Sequence, residues 1–257
     1  SETNETILSG MGESHIQIAA RRLAQKFGVE IVTELPTIPY RETITKTAQV
    51  QGRHKKQTGG RGQFGDVWIR FEPLERGEGF AFESEIFGGS VPRQYVPAVE
   101  KGLREVMSTG VIAGYPTVDF KAVIYDGSYH PVDSSEMAFK LAAHLAFRNG
   151  LPEAGPVLLE PVYNITVTVP EDSMGDILGD LNTRRARVQG MENVRGNGVV
   201  TAQVPLAEIQ RYATDLRSMT QGRGYFTMQF SHYDIVPSHL VDSIAQQAQE
   251  RLEKERE

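Results

Sequence analysis

His130 stands in the stretch whose residue types most invite chemistry, Gly127-Ser128-Tyr129-His130-Pro131-Val132-Asp133-Ser134-Ser135-Glu136. Tyr129 and His130 offer flat faces and ring nitrogens suited to nucleobases, a contact worth roughly 1–3 kcal/mol per stacked base. Asp133, with Glu136 three residues on, reads as a capping box that opens a helix, and Val132 with Met137 as its hydrophobic staple. Gly127 and Pro131 bracket the turn, the first permitting an unusual backbone angle and the second fixing one. The pattern predicts a stiff pedestal that holds Tyr129 and His130 out in front of a helix N-terminus. The bland alternative for His130 is a surface histidine without a partner.

A second stretch with binding chemistry is Arg53-His54-Lys55-Lys56-Gln57-Thr58-Gly59-Gly60-Arg61-Gly62-Gln63, which holds four basic residues and no acid. Such a segment cannot pack a core and reads as a flexible hairpin tip. It can follow a phosphate backbone, with the amides of Gly59, Gly60 and Gly62 approaching closely because no Cβ intervenes. Solvated loop is the competing reading. Arg184, Arg185 and Arg187, then Arg217 and Arg223, end two equivalent helices further on. Arginines there suit the helix macrodipole, with Glu171 and Asp172 at the start of the first helix, but two such corners also suit RNA or a protein partner.

Enzyme signatures are missing. The sequence has no Gly-x4-Gly-Lys-Ser/Thr phosphate loop and no Gly-x-Gly-x-x-Gly directly after a strand, and its six histidines show no metal-binding spacing. His130, Asp133 and Ser134 would make a triad on paper, without the strained elbow that presents a nucleophilic serine. Zero cysteines exclude disulfides and thiolate metal sites and fit a reducing cytoplasm. The net charge of −6 argues against a chain that coats nucleic acid indiscriminately, while leaving room for local basic tips. No apolar run is long enough to span a membrane, and the first residues lack the layout of a secretion signal.

The elements that must position these residues follow from periodicity. A strand at Thr6-Ile7-Leu8, a helix with Ile16, Ala20, Leu23 and Phe27 on one face, a Gly28 cap and a β-rich run over 29–33 make one strand-helix-strand unit, half of a domain. A long strand over 44–51 leads to the basic tip. Strands over 66–71 and 80–86, a helix over 93–107, a strand with Phe120, Ala122 and Ile124 inward, and the helix from Asp133 complete an α+β sheet with helices on one face. Both candidate loops follow strands and could share one end of that sheet. Residues 151–156, with two prolines and a glycine, read as the best linker in the chain. Two strand-Pro-helix-strand units follow, with Ile209, Tyr212, Ala213 and Leu216 in helical register in the second, a ferredoxin-like βαββαβ sandwich. Pro237 opens a last helix whose charged end, 251–257, is expected to fray.

These motifs, in this order, resemble bacterial elongation factor G over almost the whole chain. Gly10-Met11-Gly12-Glu13-Ser14-His15 is similar to the second half of the family's third domain, with Ser14 where a leucine usually stands. Lys56 to Gly65 and Gly127 to Glu136 resemble two tip loops of the fourth domain. Met174-Gly175-Asp176, Gly179-Asp180-Leu181-Asn182-Thr183-Arg184-Arg185, Ala213-Thr214-Asp215-Leu216-Arg217-Ser218 and Gln221-Gly222-Arg223-Gly224 resemble the fifth.

The resemblance implies an incomplete ferredoxin-like domain III over 1–38 and a domain IV over 39–156 with the ribosomal protein S5 domain 2-like fold and a left-handed crossover. Tips near 53–65 and 126–133, a ferredoxin-like domain V over 157–236 and a C-terminal helix over 237–257 complete it. It further implies a cytoplasmic, ribosome-binding chain, associated with no membrane, whose tip enters the decoding site and engages the mRNA–tRNA duplex during translocation. Gln57, Thr58, Gly59, Gly60, Arg61, Gln63, Tyr129, His130 and Pro131 would form that tip. Arg184, Arg185, Arg187, Arg217 and Arg223 would face large-subunit RNA and stalk-base protein. GTP and Mg would belong to N-terminal domains absent here, so this chain would bind no cofactor and catalyse nothing. Pro131, where the family more often has an acid, and Ala186, where it has glycine, point to a second-copy paralogue acting in recycling or stress as the alternative to a housekeeping translocase. A stand-alone RNA-binding module is the alternative outside the family.

Overall fold

The computed structural model describes residues 5–10, 12–29, 31–57 and 62–254. In chain order the elements are α1 (Glu13–Phe27), β1 (Arg41–Ile44), β2 (Ala48–Lys56), β3 (Gln63–Pro73), β4 (Phe80–Ser84), α2 (Val96–Val106), β5 (Phe120–Ser128), α3 (Glu136–Gly150), β6 (Pro156–Pro170), α4 (Met174–Thr183), β7 (Arg187–Val194), β8 (Asn197–Pro205), α5 (Leu206–Ile209), α6 (Tyr212–Met219), β9 (Tyr225–Ile235) and α7 (Ser238–Lys254). They form two compact units, Tyr40–Leu159 with Ile235–Glu257, and Ser1–Pro39 with Glu160–Asp234.

The first of these units is built on a four-stranded sheet in the order β2-β3-β5-β4, antiparallel except for the parallel β4–β5 pair. Alternation in β3 turns Val67, Ile69 and Phe71 into the core, where they meet Phe120, Ala122 and Ile124 of β5. α2 contributes Val99, Leu103 and Val106, and α3 contributes Phe139, Ala142, Ala146 and Phe147. This is the α+β layering that the pattern of elements implied. Asp119, which strict alternation places on the polar face, is instead buried at φ 57° and accepts the Gly79 N–H at 2.9 Å.

Two expectations about this unit fail. The single strand over 44–51 is two strands, because β1 pairs with the start of β6 and β2 with β3. The chain turns between them, where the N–H groups of Thr45 and Lys46 donate to the Ala154 carbonyl at 3.1 and 2.9 Å. The supposed linker at 151–156 is anchored, with Leu151 and Ala154 fully buried in the same core. Proline and glycine there serve a tight turn with Gly155 at φ 61°. α7 closes the unit by packing Ile244 and Ala248 against Tyr115, Leu158 and Val236.

In the other unit β6 lies between β8 and β9, and β8 between β6 and β7. With α4 after β6, and α5 and α6 after β8, this is the ferredoxin-like βαββαβ arrangement. Its core joins Ile165, Val167, Val169, Val200, Ala202 and Val204 of the sheet to Ile177, Leu181, Ile209, Tyr212 and Leu216 of the helices. The repeated helix is split around Gln210 and Arg211, which the 0, 3, 4, 7 spacing does not reveal. In the first 39 residues α1 ends as expected, on Gly28 at φ 65° with its N–H on the Ala24 carbonyl at 2.9 Å. No strand forms around Thr6 or over 29–33 among the described residues, and Leu23 and Phe27 of the apolar stripe stay exposed. A β-rich segment becomes a strand only when a second strand takes up its backbone groups.

Candidate nucleic-acid interface

The two candidate loops meet at one end of the β2-β3-β5-β4 sheet. What brings them together is the close seating of α3 on the hairpin. A Cβ at Gly52 would run into the Ala142 carbonyl and Ala146, and one at Gly65 into the Ala138 carbonyl, so only glycine lets the helix backbone rest on these strands. Gly127 is glycine for the same reason, not for an unusual angle: its Cβ would strike the Asp66 carbonyl, and its φ is not positive. Buried Asp66 accepts the Gln51 side-chain amide at 2.8 Å and the Ser128 hydroxyl at 2.7 Å, fixing the end of β5 just before Tyr129.

Ser134 then locks the loop. Its hydroxyl accepts the His130 N–H at 2.9 Å and donates to the Phe64 carbonyl at 2.9 Å. The Phe64 N–H donates to the Asp133 carbonyl at 2.9 Å, and the Ser134 N–H to the His130 carbonyl at 3.1 Å. The His130 Nδ1 accepts from the N–H groups of Val132 and Asp133 at 3.3 and 3.2 Å, and Asp133 Oδ2 stands 3.4 Å from it. Behind the loop Tyr95 stacks on Phe139, with centroids 4.7 Å apart and planes 15° from parallel.

The helix start differs from the capping-box reading. α3 begins at Glu136 and is capped by Ser135, whose hydroxyl accepts the Ala138 N–H at 3.2 Å. Asp133 lies two residues too early, because its carbonyl is paired to Phe64 and its carboxylate is turned to His130 and Gly62. Val132 and Met137 are 60% and 55% exposed, so no staple forms. The serine of the paper triad is buried, with its hydroxyl taken up by two backbone groups, which leaves no nucleophile.

Lys55, Gln57, Gln63, Phe64, His130 and Asp133 line a small open recess of about 90 Å³. Gln63 Oε1 is 2.9 Å from His54 Nε2, and the Arg53 guanidinium lies 5.5 Å from the centre of the Phe64 ring. Tyr129 is exposed, and the His130 side chain is 52% exposed. Pro131 follows in the exposed turn. Thr58, Gly59, Gly60 and Arg61 lie outside the described residues. Ser134 and Phe64 escaped sequence reasoning because their roles depend on a backbone pairing that no local motif encodes.

In the ferredoxin-like unit the arginines divide. Arg184 is 18% exposed and turned inward: Nε on Asp180 at 2.8 Å, Nη1 on the Glu208 carbonyl at 2.8 Å, Nη2 on Asp215 at 2.8 Å, and the guanidinium 5.0 Å from the Tyr212 ring centre. Arg185, at φ 55°, grips buried Glu160 through both terminal nitrogens at 2.6 and 2.9 Å and Glu208 through Nε at 2.8 Å. Hydrogen bonds to Asp180 and to Glu160 raise the pKa values of Arg184 and Arg185, and burial raises that of the Tyr212 phenol. Arg187 and Arg223 reach outward, 75% and 53% exposed, each near one acid, Asp234 at 3.3 Å and Asp172 at 3.7 Å. The Arg217 guanidinium lies against Gly12. Among the described residues no cluster of His, Asp and Glu is placed to hold a metal ion, and no helix is long and apolar enough to cross a membrane.

An α+β protein of two sheets, one of them ferredoxin-like, with a basic and aromatic tip, is the class defined so far. Three family descriptions match in order: Elongation Factor G, domain III, over residues 1–35; Elongation factor G, domain IV, over 36–155; and Elongation factor G C-terminus, over 157–244. The chain belongs to the elongation factor G family. None of the three matched parts is a GTPase domain. A crystal structure of a protein from Thermus thermophilus is 49% identical over 97% of this chain, with a TM-score of 0.84. The chain spans 37% of the length of that relative.

Proposed function

We propose that this chain is the ribosome-engaging C-terminal part of a translational GTPase, and that its tip enters the small-subunit decoding site to promote movement of tRNA and mRNA. The observation that carries this reading is the Phe64–Ser134 junction. It sets the basic hairpin and the exposed Tyr129-His130 pair side by side at one end of a rigid sheet. Lysine and arginine of the hairpin face phosphates, and Tyr129 and His130 face bases or sugar. Exposed Arg187, Arg217 and Arg223 are the better candidates for large-subunit RNA and stalk-base protein, since Arg184 and Arg185 are engaged inside the fold. GTP and Mg belong to an N-terminal GTPase domain, with which this chain works in the cytoplasm, and the chain itself catalyses no reaction.

The test is His130→Ala in the intact factor. Single-turnover translocation should slow while ribosome-stimulated GTP hydrolysis stays near wild type. Equal loss of both activities would contradict the proposal. Pro131, at a position where the family resemblance implies an acid more often, favours a second reading, a paralogue acting in ribosome recycling or stress. Intact factor that splits ribosomes but does not translocate would select it.

A further inference from the structure

Resting on that function, we infer that the two ring nitrogens of His130 have separate duties. Nδ1 is the internal acceptor that holds the loop in shape, and Nε2 carries the proton and offers it to a hydrogen-bond acceptor on RNA. His130 is thus a positioning residue through one nitrogen and a contact residue through the other.

The geometry of the loop assigns the duties. Two backbone N–H groups, those of Val132 and Asp133, converge on Nδ1 at 3.3 and 3.2 Å, and an N–H donates only to a nitrogen with a free lone pair. A neutral imidazole with Nδ1 bare must carry its proton on Nε2. Among the described residues the one opposing contact is Asp133 Oδ2, 3.4 Å from Nδ1, which a protonated Nδ1 would favour. Two donors against one more distant acceptor decide for the bare nitrogen. The same loop hands a third N–H, that of His130 itself, to Ser134 Oγ, so these amides are all satisfied within the loop. Nε2 lies across the ring from Nδ1, on a side chain that is 52% exposed, and has no partner among the described residues. An N–H donor at Nε2 suits acceptor atoms on base or sugar.

The experiment pairs His130→Asn with His130→Gln, because the Asn carbonyl occupies the place of Nδ1 while the Gln amide reaches that of Nε2. In this chain labelled with nitrogen-15 histidine, the His130 resonances at neutral pH, identified by their loss in His130→Asn, should show Nδ1 unprotonated and Nε2 protonated. Asp133→Asn should leave that pattern unchanged. Amide exchange at Val132 and Asp133 should be near wild type in His130→Asn and about five- to tenfold faster in His130→Gln and His130→Ala, the effect of one lost hydrogen bond. In the intact factor on programmed ribosomes, His130→Asn should translocate as slowly as His130→Ala although its loop is intact.

A proton on Nδ1, or unchanged exchange in His130→Ala, overturns the inference whatever the ribosome assay gives. Wild-type translocation by His130→Asn alongside slow His130→Ala overturns the donor role alone. Wild-type translocation by His130→Ala overturns the proposed function and the donor role together, while the spectra of the isolated chain still decide the duty of Nδ1.

Discussion

The hydroxyl of Ser134 donates to the carbonyl of Phe64 at 2.9 Å across 70 residues of sequence, and so fastens the loop before α3 to the start of β3. One side chain thereby couples the hairpin tip to the His130 loop. Ser134→Ala removes both hydrogen bonds of the hydroxyl and strands the Phe64 carbonyl and the His130 N–H. A local loss of about 1–3 kcal/mol is expected. Amide exchange should rise around 130–134 while the urea midpoint, read by the single tryptophan Trp68, shifts little. Ser134→Cys, which keeps a weak donor, should fall between.

Glycine under α3 sets how close the helix, and hence the tip, can sit. Gly65→Ala drives a methyl into the Ala138 carbonyl and Gly52→Ala one into the Ala142 carbonyl. Each should destabilise by about 1–3 kcal/mol or more, since the obstacle is backbone and cannot swing away. Gly77→Ala, in open space but at φ 92°, isolates the backbone cost for comparison. Equal effects at all three sites in denaturant titrations would rule out close packing as the cause.

Glu42 is fully buried, and its carboxylate accepts four backbone N–H groups, Val111 at 2.6 Å, Ile112 at 2.9 Å, Ala113 at 2.8 Å and Tyr115 at 3.2 Å. Glutamine offers one oxygen and turns an NH₂ toward the remaining donors. Glu42→Gln should therefore cost about 2–5 kcal/mol. Urea denaturation at pH 7 followed by Trp68 fluorescence measures it.

Arg185 and Glu160 form a bidentate pair with the acid nearly out of solvent. Glu160→Gln should destabilise the ferredoxin-like unit by about 2–3 kcal/mol, below the cost of breaking a fully buried pair because the arginine keeps some water. Exchange rates along β6 and β8 report it. Arg187→Ala, on an exposed side chain, should leave them unchanged.

His144 gives the fold a pH dependence. Burial lowers its pKa below the ordinary histidine value, against the opposing pull of Glu105, whose own pKa is lowered by the hydrogen bond from Lys140. The unfolded chain then binds more protons than the folded one, so this part of the stability is present above pH of about 6.5 and is lost as pH falls through the lower folded value. Glu105 adds a loss in the same direction in the more acidic carboxylate range. Stability should fall between pH 7.5 and 5.5, and His144→Gln should flatten that interval while leaving the acid limb.

Local physics made much of this protein legible from its letters. The alternation of Phe120, Ala122 and Ile124, the 3.6-residue stripe of α2, the Gly28 cap and the repeated strand-helix pattern after residue 156 each rest on interactions within a few residues, and each stands in the structure. The candidate tip residues stand out in the sequence because basic, glycine-rich and aromatic composition needs no partner to be seen. Failures fell where a distant segment competes. Residues 151–156 look like a linker until Leu151 finds the core, and Asp133 looks like a cap until Phe64 claims its carbonyl and Ser135 takes over. Arg184 and Arg185 look like surface until Asp180, Asp215, Glu160 and Glu208 surround them. The sequence by itself determined the periodicities and the class of fold, and it marked the residues proposed to meet RNA. The tertiary structure alone decided which side chains are exposed and how the two loops are joined, because those depend on hydrogen-bond partners tens of residues away.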